Sequence, residues 1–184
     1  MNTRAMTVPS HGASQTGNSE ISIAAQDGAA LQLISFAIGD EQYGVDIMAV
    51  REIKGWTDIT PLPGQSEYVR GVLNLRGVIV PVVDLRCRFG QGLTKASPLH
   101  ICIIVQIGAK PIGLLADRVL DIVSLESSEI KPEPKVAPSH ATSFLSGLVT
   151  TDSGMIALID LPHLLAEHLG EDKKTEAGAE PVAA

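Results

Sequence analysis

Ile79–Leu85 reads IVPVVDL, and Met155–Leu161 reads MIALIDL. The two stretches lie 76 residues apart, and both end in Asp-Leu. At the same spacing Gly71-Val72 pairs with Gly147-Leu148. Further upstream the match continues at a spacing of 69. Ile38-Gly39, Gly44, Val50 and Ile53 correspond to Ile107-Gly108, Gly113, Val119 and Ile122, and Leu33–Ile38 aligns with Cys102–Ile107. The seven extra residues fall where 131–139 (KPEPKVAPS) and ATSF lie, and a loop absorbs such an insertion at little entropic cost. Apolar residues alone match easily by chance. Paired glycines with a shared Asp-Leu do not, so the chain reads as an internal duplication.

Each copy is β in character. The runs Leu31–Ile38, Val78–Val83, Ile101–Ile107, Ile112–Leu115 and Met155–Ile159 are short, rich in Val and Ile, and bounded by Gly, Pro, Asp or Ser. The repeated glycines are expected to mark a hairpin turn followed by a bulge. About five short strands per copy predict two small barrels, because closing a sheet removes the exposed edges that short strands cannot protect. The expected division is a flexible arm over 1–30, a first barrel over 31–92, a second barrel with a terminal helix over 93–169, and a flexible tail over 170–184. The arm and tail lack the apolar content to join a core. Pro81 cannot donate to a ladder, which predicts an edge or a bulge there. Asp160 is placed to cap a helix from Leu161 with Pro162 in its first turn. Leu161, Leu164, Leu165 and Leu169 then share the face that packs on the barrel.

Composition narrows the function. The 184 residues are 45% hydrophobic, enough for a buried core. Net charge is −7 and aromatics number six, so neither a phosphate-binding surface nor a base-stacking platform is expected, and nucleic acid is not a partner. No apolar run approaches the roughly 18 residues of a membrane span, so no direct insertion is expected. Two cysteines make no disulfide framework and point to a reducing cytoplasm. No nucleophile, base and oxyanion pattern occurs, and the five histidines lack ligand spacing. No catalytic residue, metal or cofactor is therefore expected. Cys102 lies in an apolar strand and reads as inert core. Cys87 stands between Arg86 and Arg88, which would lower its pKa if it were exposed. Arg70, Arg76, Arg86 and Arg88 fall close together with one acid, Asp84. They read either as strand-edge charge or as a docking face for an acidic protein. Arg76 is unmatched in the second copy, which has Thr151-Asp152-Ser153-Gly154 there, and an unmatched residue is a better functional candidate than a repeated one.

The stretch Tyr43–Gly90, YGVDIMAVREIKGWTDITPLPGQSEYVRGVLNLRGVIVPVVDLRCRFG, closely resembles the CheW family of bacterial chemotaxis adaptors. YGVDI, Val50–Ile53, Ile59–Pro63 and NLRGVIVPVVDLR fall in the family's order, and the likeness covers about 31–168 through Gly113, Asp117-Arg118-Val119, Ile130-Lys131-Pro132 and Met155–Leu165. The resemblance implies an all-β protein of two five-stranded, Src-homology-3-like barrels related by a pseudo-twofold. It implies a non-catalytic scaffold that couples chemoreceptor cytoplasmic tips to the regulatory domain of the histidine kinase CheA, in the cytoplasm at membrane-associated receptor arrays. The positions that match the family's receptor-coupling residues are Val50, Glu52, Gly71 and Arg76. The kinase-binding surface is implied to be apolar barrel ends. Trp56 reads as a barrel plug or an exposed contact. Two other readings remain at this point: a small-molecule-binding or thiol-based double barrel using Cys87, and a regulatory module of a larger kinase.

Overall fold

A computed structural model of the chain describes residues 30–132 and 144–166. The expected arm before Ala30, the tail, most of the Pro-rich loop and Leu169 lie outside the described residues. Ten strands run in order: β1 Leu31–Ile38, β2 Glu41–Asp46, β3 Val50–Gly55, β4 Val69–Leu75, β5 Val78–Asp84, β6 Ile101–Ile107, β7 Lys110–Ala116, β8 Arg118–Leu125, β9 Leu145–Thr151 and β10 Gly154–Ile159. Two short helices, α1 Leu85–Arg88 and α2 Leu161–Leu164, follow β5 and β10. The strands form two five-stranded sheets, ordered β8-β1-β2-β10-β9 and β3-β6-β7-β5-β4.

The two orders are the same once the repeats are aligned, and the irregularities repeat with them. The register shifts between Val50 and Glu52 on β3, and at the matching place opposite Ser35/Phe36 on β8. It shifts again between Val69 and Gly71 on β4, and at the matching place between Leu145 and Gly147 on β9. The shared Asp also has a structural task. Asp84 accepts from the Cys87 N–H at 3.2 Å and Asp160 from the His163 N–H at 2.9 Å, so each caps the helix that ends its half.

A cut at 92/93 does not separate the sheets. The first hairpin of each half, β1–β2 or β6–β7, joins the sheet of the other half. The reason lies in the burial pattern. Alternate residues of β6 point into two different cores: Cys102 and Ile104 pack inside their own barrel, while Ile103 and Val105 pack in the joint between barrels. On β1, Leu33 faces the barrel interior, while Ile34, Phe36 and Ile38 face the joint. A hairpin apolar on both faces must be covered on both. Lodging it between the halves does this. Each fully buried Leu, Ile or Phe contributes roughly 1.5–3 kcal/mol to folding, and the joint holds most of the largest buried side chains, including Phe36, Ile38, Leu85, Ile103, Leu114, Leu164 and Leu165.

Every aromatic side chain except Trp56 is also at the joint. Tyr43 stacks on Phe36 and Phe89, and Phe89 meets Phe144. Arg88 lies over Tyr68 at 4.2 Å and Phe144 at 4.6 Å, and those two rings occupy equivalent places in the repeat. The α2 leucines Leu161, Leu164 and Leu165 complete this core.

Two sequence expectations need correction. Gly39 and Gly108 do stand in two-residue hairpin turns, each with φ near +60°. Gly44 and Gly113 mark no bulge. They lie where strands of the two halves pair in parallel, opposite Leu158 and Val82. A Cβ on Gly113 would stand 2.7 Å from Cys102 Sγ, so what the position requires is close approach. Pro81 is on an internal strand, not an edge. Its partner Val72 turns both backbone groups away to Thr60, and the pairing of β5 with β7 begins only at Val82, so the missing N–H of Pro81 is not needed.

Because each sheet needs strands from both halves, a fragment 31–92 should show no dispersed amide spectrum by itself. Mixed with a fragment 93–168 it should recover the dispersion of the intact chain. A well-folded lone half would overturn the assignment of the exchange as obligatory.

Candidate functional site

Arg76 and Gly77 are the two central residues of the β4–β5 hairpin, whose flanking pair is Leu75 and Val78. Both have positive φ, 52° and 90°, the pattern of a type I′ turn. Such turns favour Asn or Gly, and Arg76 is the one non-glycine residue with positive φ among the described residues. The hairpin is held by the Gly77 N–H, which donates to Asn74 Oδ1 at 2.7 Å. This geometry projects Arg76 out of the hairpin. Its side chain is 85% exposed, and Nη2 reaches Glu52 Oε2 at 3.3 Å.

Glu52 is on β3, and β3 and β4 are the two edge strands of one sheet. The ion pair therefore spans the seam where the curled sheet brings its edges together. Two of the four residues expected from the sequence, Glu52 and Arg76, are thus in direct contact. Val50 lies on β3 just before the register shift, half-buried against the joint core. Gly71 has a different character. It is buried at φ 131°, and a Cβ there would run into the backbone carbonyl of Thr60, which pairs with Val72. Gly71 therefore supports the Thr60–Pro61 backbone along β4 and offers no side chain of its own.

Energetics separate the roles at Arg76. A non-glycine residue in the left-handed region costs about 1–2 kcal/mol. An exposed ion pair returns about 0–1 kcal/mol. Arginine at this position is therefore not explained by stability.

The exposed apolar residues Met48, Ile53, Val78 and Ile79 adjoin these positions in sequence. The sequence reading passed over them, because Val78 and Ile79 look like the start of an ordinary buried strand. Only the burial pattern, exposed at 78 and 79 and buried from Val80, sets them apart.

The four clustered arginines do not form one face. Arg70 approaches Asp84 at 3.8 Å, Arg76 meets Glu52, Arg86 Nη2 donates to Asp117 Oδ2 at 2.5 Å, and Arg88 lies between Tyr68 and Phe144. The basic-patch expectation fails because strand alternation and α1 send them in different directions. The chain crosses between the barrels first from β2 to β3 and again from β7 to β8. Asp117, at this second crossover, also accepts from the Gly39 N–H at 2.7 Å and faces His100 Nε2 at 3.5 Å, which ties the crossover to the β1–β2 turn.

Cys87 is likewise not an activated thiol. Burial pushes its pKa up, the Asp84 and Glu67 carboxylates push it further, and only Arg70 opposes them. Burial moves Cys102 up to about 12. Trp56 packs with Ile59 against the core inside its barrel, and it also walls a shallow pocket of about 330 Å3 shared with Pro61, Arg70 and Leu93. Both readings of Trp56 therefore describe part of its surroundings. Among the described residues no group of three His, Cys, Asp or Glu side chains could hold a metal ion, and no helix is long and apolar enough to cross a membrane.

These observations generate three expected outcomes. Arg76→Asn should leave the free energy of unfolding within about 1 kcal/mol of wild type or raise it, because turn strain is relieved as the exposed pair is lost; a loss of several kcal/mol in a denaturant titration would contradict this. Gly71→Ala should cost about 2 kcal/mol or more, seen as a lowered melting temperature, since a backbone must shift. Raised pKa values mean less thiolate at a given pH, so at pH 8 iodoacetamide should alkylate Cys87 more slowly than a free thiol, and Cys102 only after unfolding.

Comparison with known proteins agrees with this architecture. The model of the CheW-like domain family matches residues 32–168. The chain is 41% identical over 130 residues to a chemotaxis protein CheW of Rhizobium meliloti (strain 1021), which covers 71% of this chain and 84% of that relative. It is 36% identical over 135 residues to a chemotaxis protein CheW of Klebsiella aerogenes, which covers 73% of this chain and 81% of the relative. Among solved structures it resembles the scaffolding protein TtCheW from Thermoanaerobacter tengcongensis, with a TM-score of 0.69, 36% identity, and coverage of 74% of this chain and 93% of that one. A duplicated pair of five-stranded sheets with exchanged hairpins and an NLRG turn at the seam, matched by the family model over most of the chain, makes this protein a member of the CheW-like domain family.

Proposed function

We propose that this chain is a non-catalytic chemotaxis adaptor that couples chemoreceptor cytoplasmic tips to the histidine kinase CheA. The observation that carries this reading is Arg76, an exposed guanidinium held at a conformational cost that its own ion pair does not repay. Such a group is suited to exchange an internal carboxylate for one on a partner. Val50, Glu52 and Arg76 are the receptor-coupling positions, with Gly71 shaping the backbone beside them. The kinase regulatory domain occupies apolar barrel ends. Holding receptor and kinase in one assembly raises their effective concentration, and activity changes through differential contacts with two kinase states. No step requires the protein to make or break a bond. A thiol-based reading is opposed by the raised pKa of Cys87.

Reconstituted arrays of receptor, kinase and adaptor test this. Arg76→Ala should keep its melting temperature within a few degrees but weaken assembly about thirtyfold, the equivalent of roughly 2 kcal/mol for a desolvated contact, and fail to activate kinase. Arg76→Lys should not restore coupling, because an ammonium cannot reproduce the planar bidentate fork. Full kinase activation by Arg76→Ala would sink the reading.

A further inference from the structure

The duplication reproduces the candidate site almost completely in the second barrel. Val50 corresponds to Val119, Glu52 to Asp121 and Gly71 to Gly147. The register shifts are reproduced too, whereas the hairpin turn is not: Arg76 and Gly77 have positive φ, and Asp152 and Ser153 do not. Val119 and Asp121 flank the same register shift on β8 that Val50 and Glu52 flank on β3, and Gly147 follows the same shift on β9 that Gly71 follows on β4. Gly147 lacks the positive φ of Gly71 but is also closely packed, with a Cβ meeting Ile130 and the Lys131 carbonyl, and Lys131 pairs with Leu148 as Thr60 pairs with Val72. Two of the four exposed apolar neighbours recur, Ile122 for Ile53 and Met155 for Ile79. Only one position is inverted in charge: Arg76 corresponds to Asp152.

We infer that Asp152 excludes the receptor tip from the second seam, so that a surface built twice is used once. The inference rests on the reading of Arg76 as a receptor contact. A partner carboxylate drawn to Arg76 on the first seam would meet Asp121 and Asp152 on the second, both exposed and on equivalent strand and turn positions. Discrimination between similar surfaces is achieved by a repulsive group as effectively as by an attractive one. The turn itself does not require the Asp152 carboxylate. Its side-chain bonds come from Thr151 Oγ1, which donates to Gly154 O at 3.0 Å and contacts Ser153 Oγ at 2.9 Å, and from Gln42, which donates to Ser153 O at 3.1 Å. Loss of the arginine would have been enough to weaken the second seam. Replacement by an acid makes it repel.

The test is rescue at the second seam. Binding of a soluble chemoreceptor tip fragment to the full chain is measured by calorimetry for wild type, Arg76→Ala, and a triple variant that adds Asp152→Arg and Ser153→Gly to Arg76→Ala. Ser153→Gly supplies the flexibility that Gly77 gives the first turn. Circular dichroism and melting establish that each variant is folded, and all changes lie at exposed turn residues. Wild type should bind one fragment per chain, Arg76→Ala should bind about thirtyfold more weakly, and the triple variant should recover binding to within about threefold of wild type. Wild type binding two fragments, or a folded triple variant binding no more tightly than Arg76→Ala, would overturn the inference and leave the reading of Arg76 intact. Arg76→Ala binding like wild type would instead remove the reading on which it rests.

Discussion

The rest of the structure depends on two hairpins that are apolar on both faces. β1–β2 and β6–β7 each put one set of side chains into a barrel and the other set into the joint. A barrel of five short strands has a small interior, here five or six fully buried residues apiece. The joint core is larger than either interior and is made by both halves. The barrels are thus neither independent domains nor one continuous sheet. Their relative placement is set by the same side chains that stabilise the fold, and the aromatic cluster with Arg88 stacked between equivalent rings reinforces it.

The shared core meets β3 at Val50, while β4 packs through Leu73 and Leu75 on its own barrel's interior, and the seam between these edge strands carries the exposed arginine. The polar network at Asp117 stands at the second crossover, where it joins the β1–β2 turn to α1. At the first crossover the equivalent residue is Met48, which is 86% exposed. The fold is therefore symmetric in its strand order and asymmetric in its polar surface. Symmetry belongs to packing, which the duplication preserved in strands, bulges, the turns at Gly39 and Gly108, and helix caps. Asymmetry belongs to the groups in contact with solvent, where a partner can tell the halves apart.

The sequence by itself determined the duplication, the strand runs, the glycines of the first hairpin turns, the helix after Asp160 and the singling out of Arg76 as a residue that breaks the repeat. Each of these is a local property: spacing, propensity, a cap, or a residue that breaks a repeat. Only the tertiary structure decided which hairpin joins which sheet, since a β run apolar on both faces does not say whose core will cover each face. It also decided that Pro81 is internal, that Gly44 and Gly113 mark close approach between strands of different halves, and that four neighbouring arginines point to four different partners. It turned Cys87 from a thiol beside two cations into one raised by burial and by Asp84. A side chain's surroundings follow from burial and strand pairing, which sequence proximity does not encode.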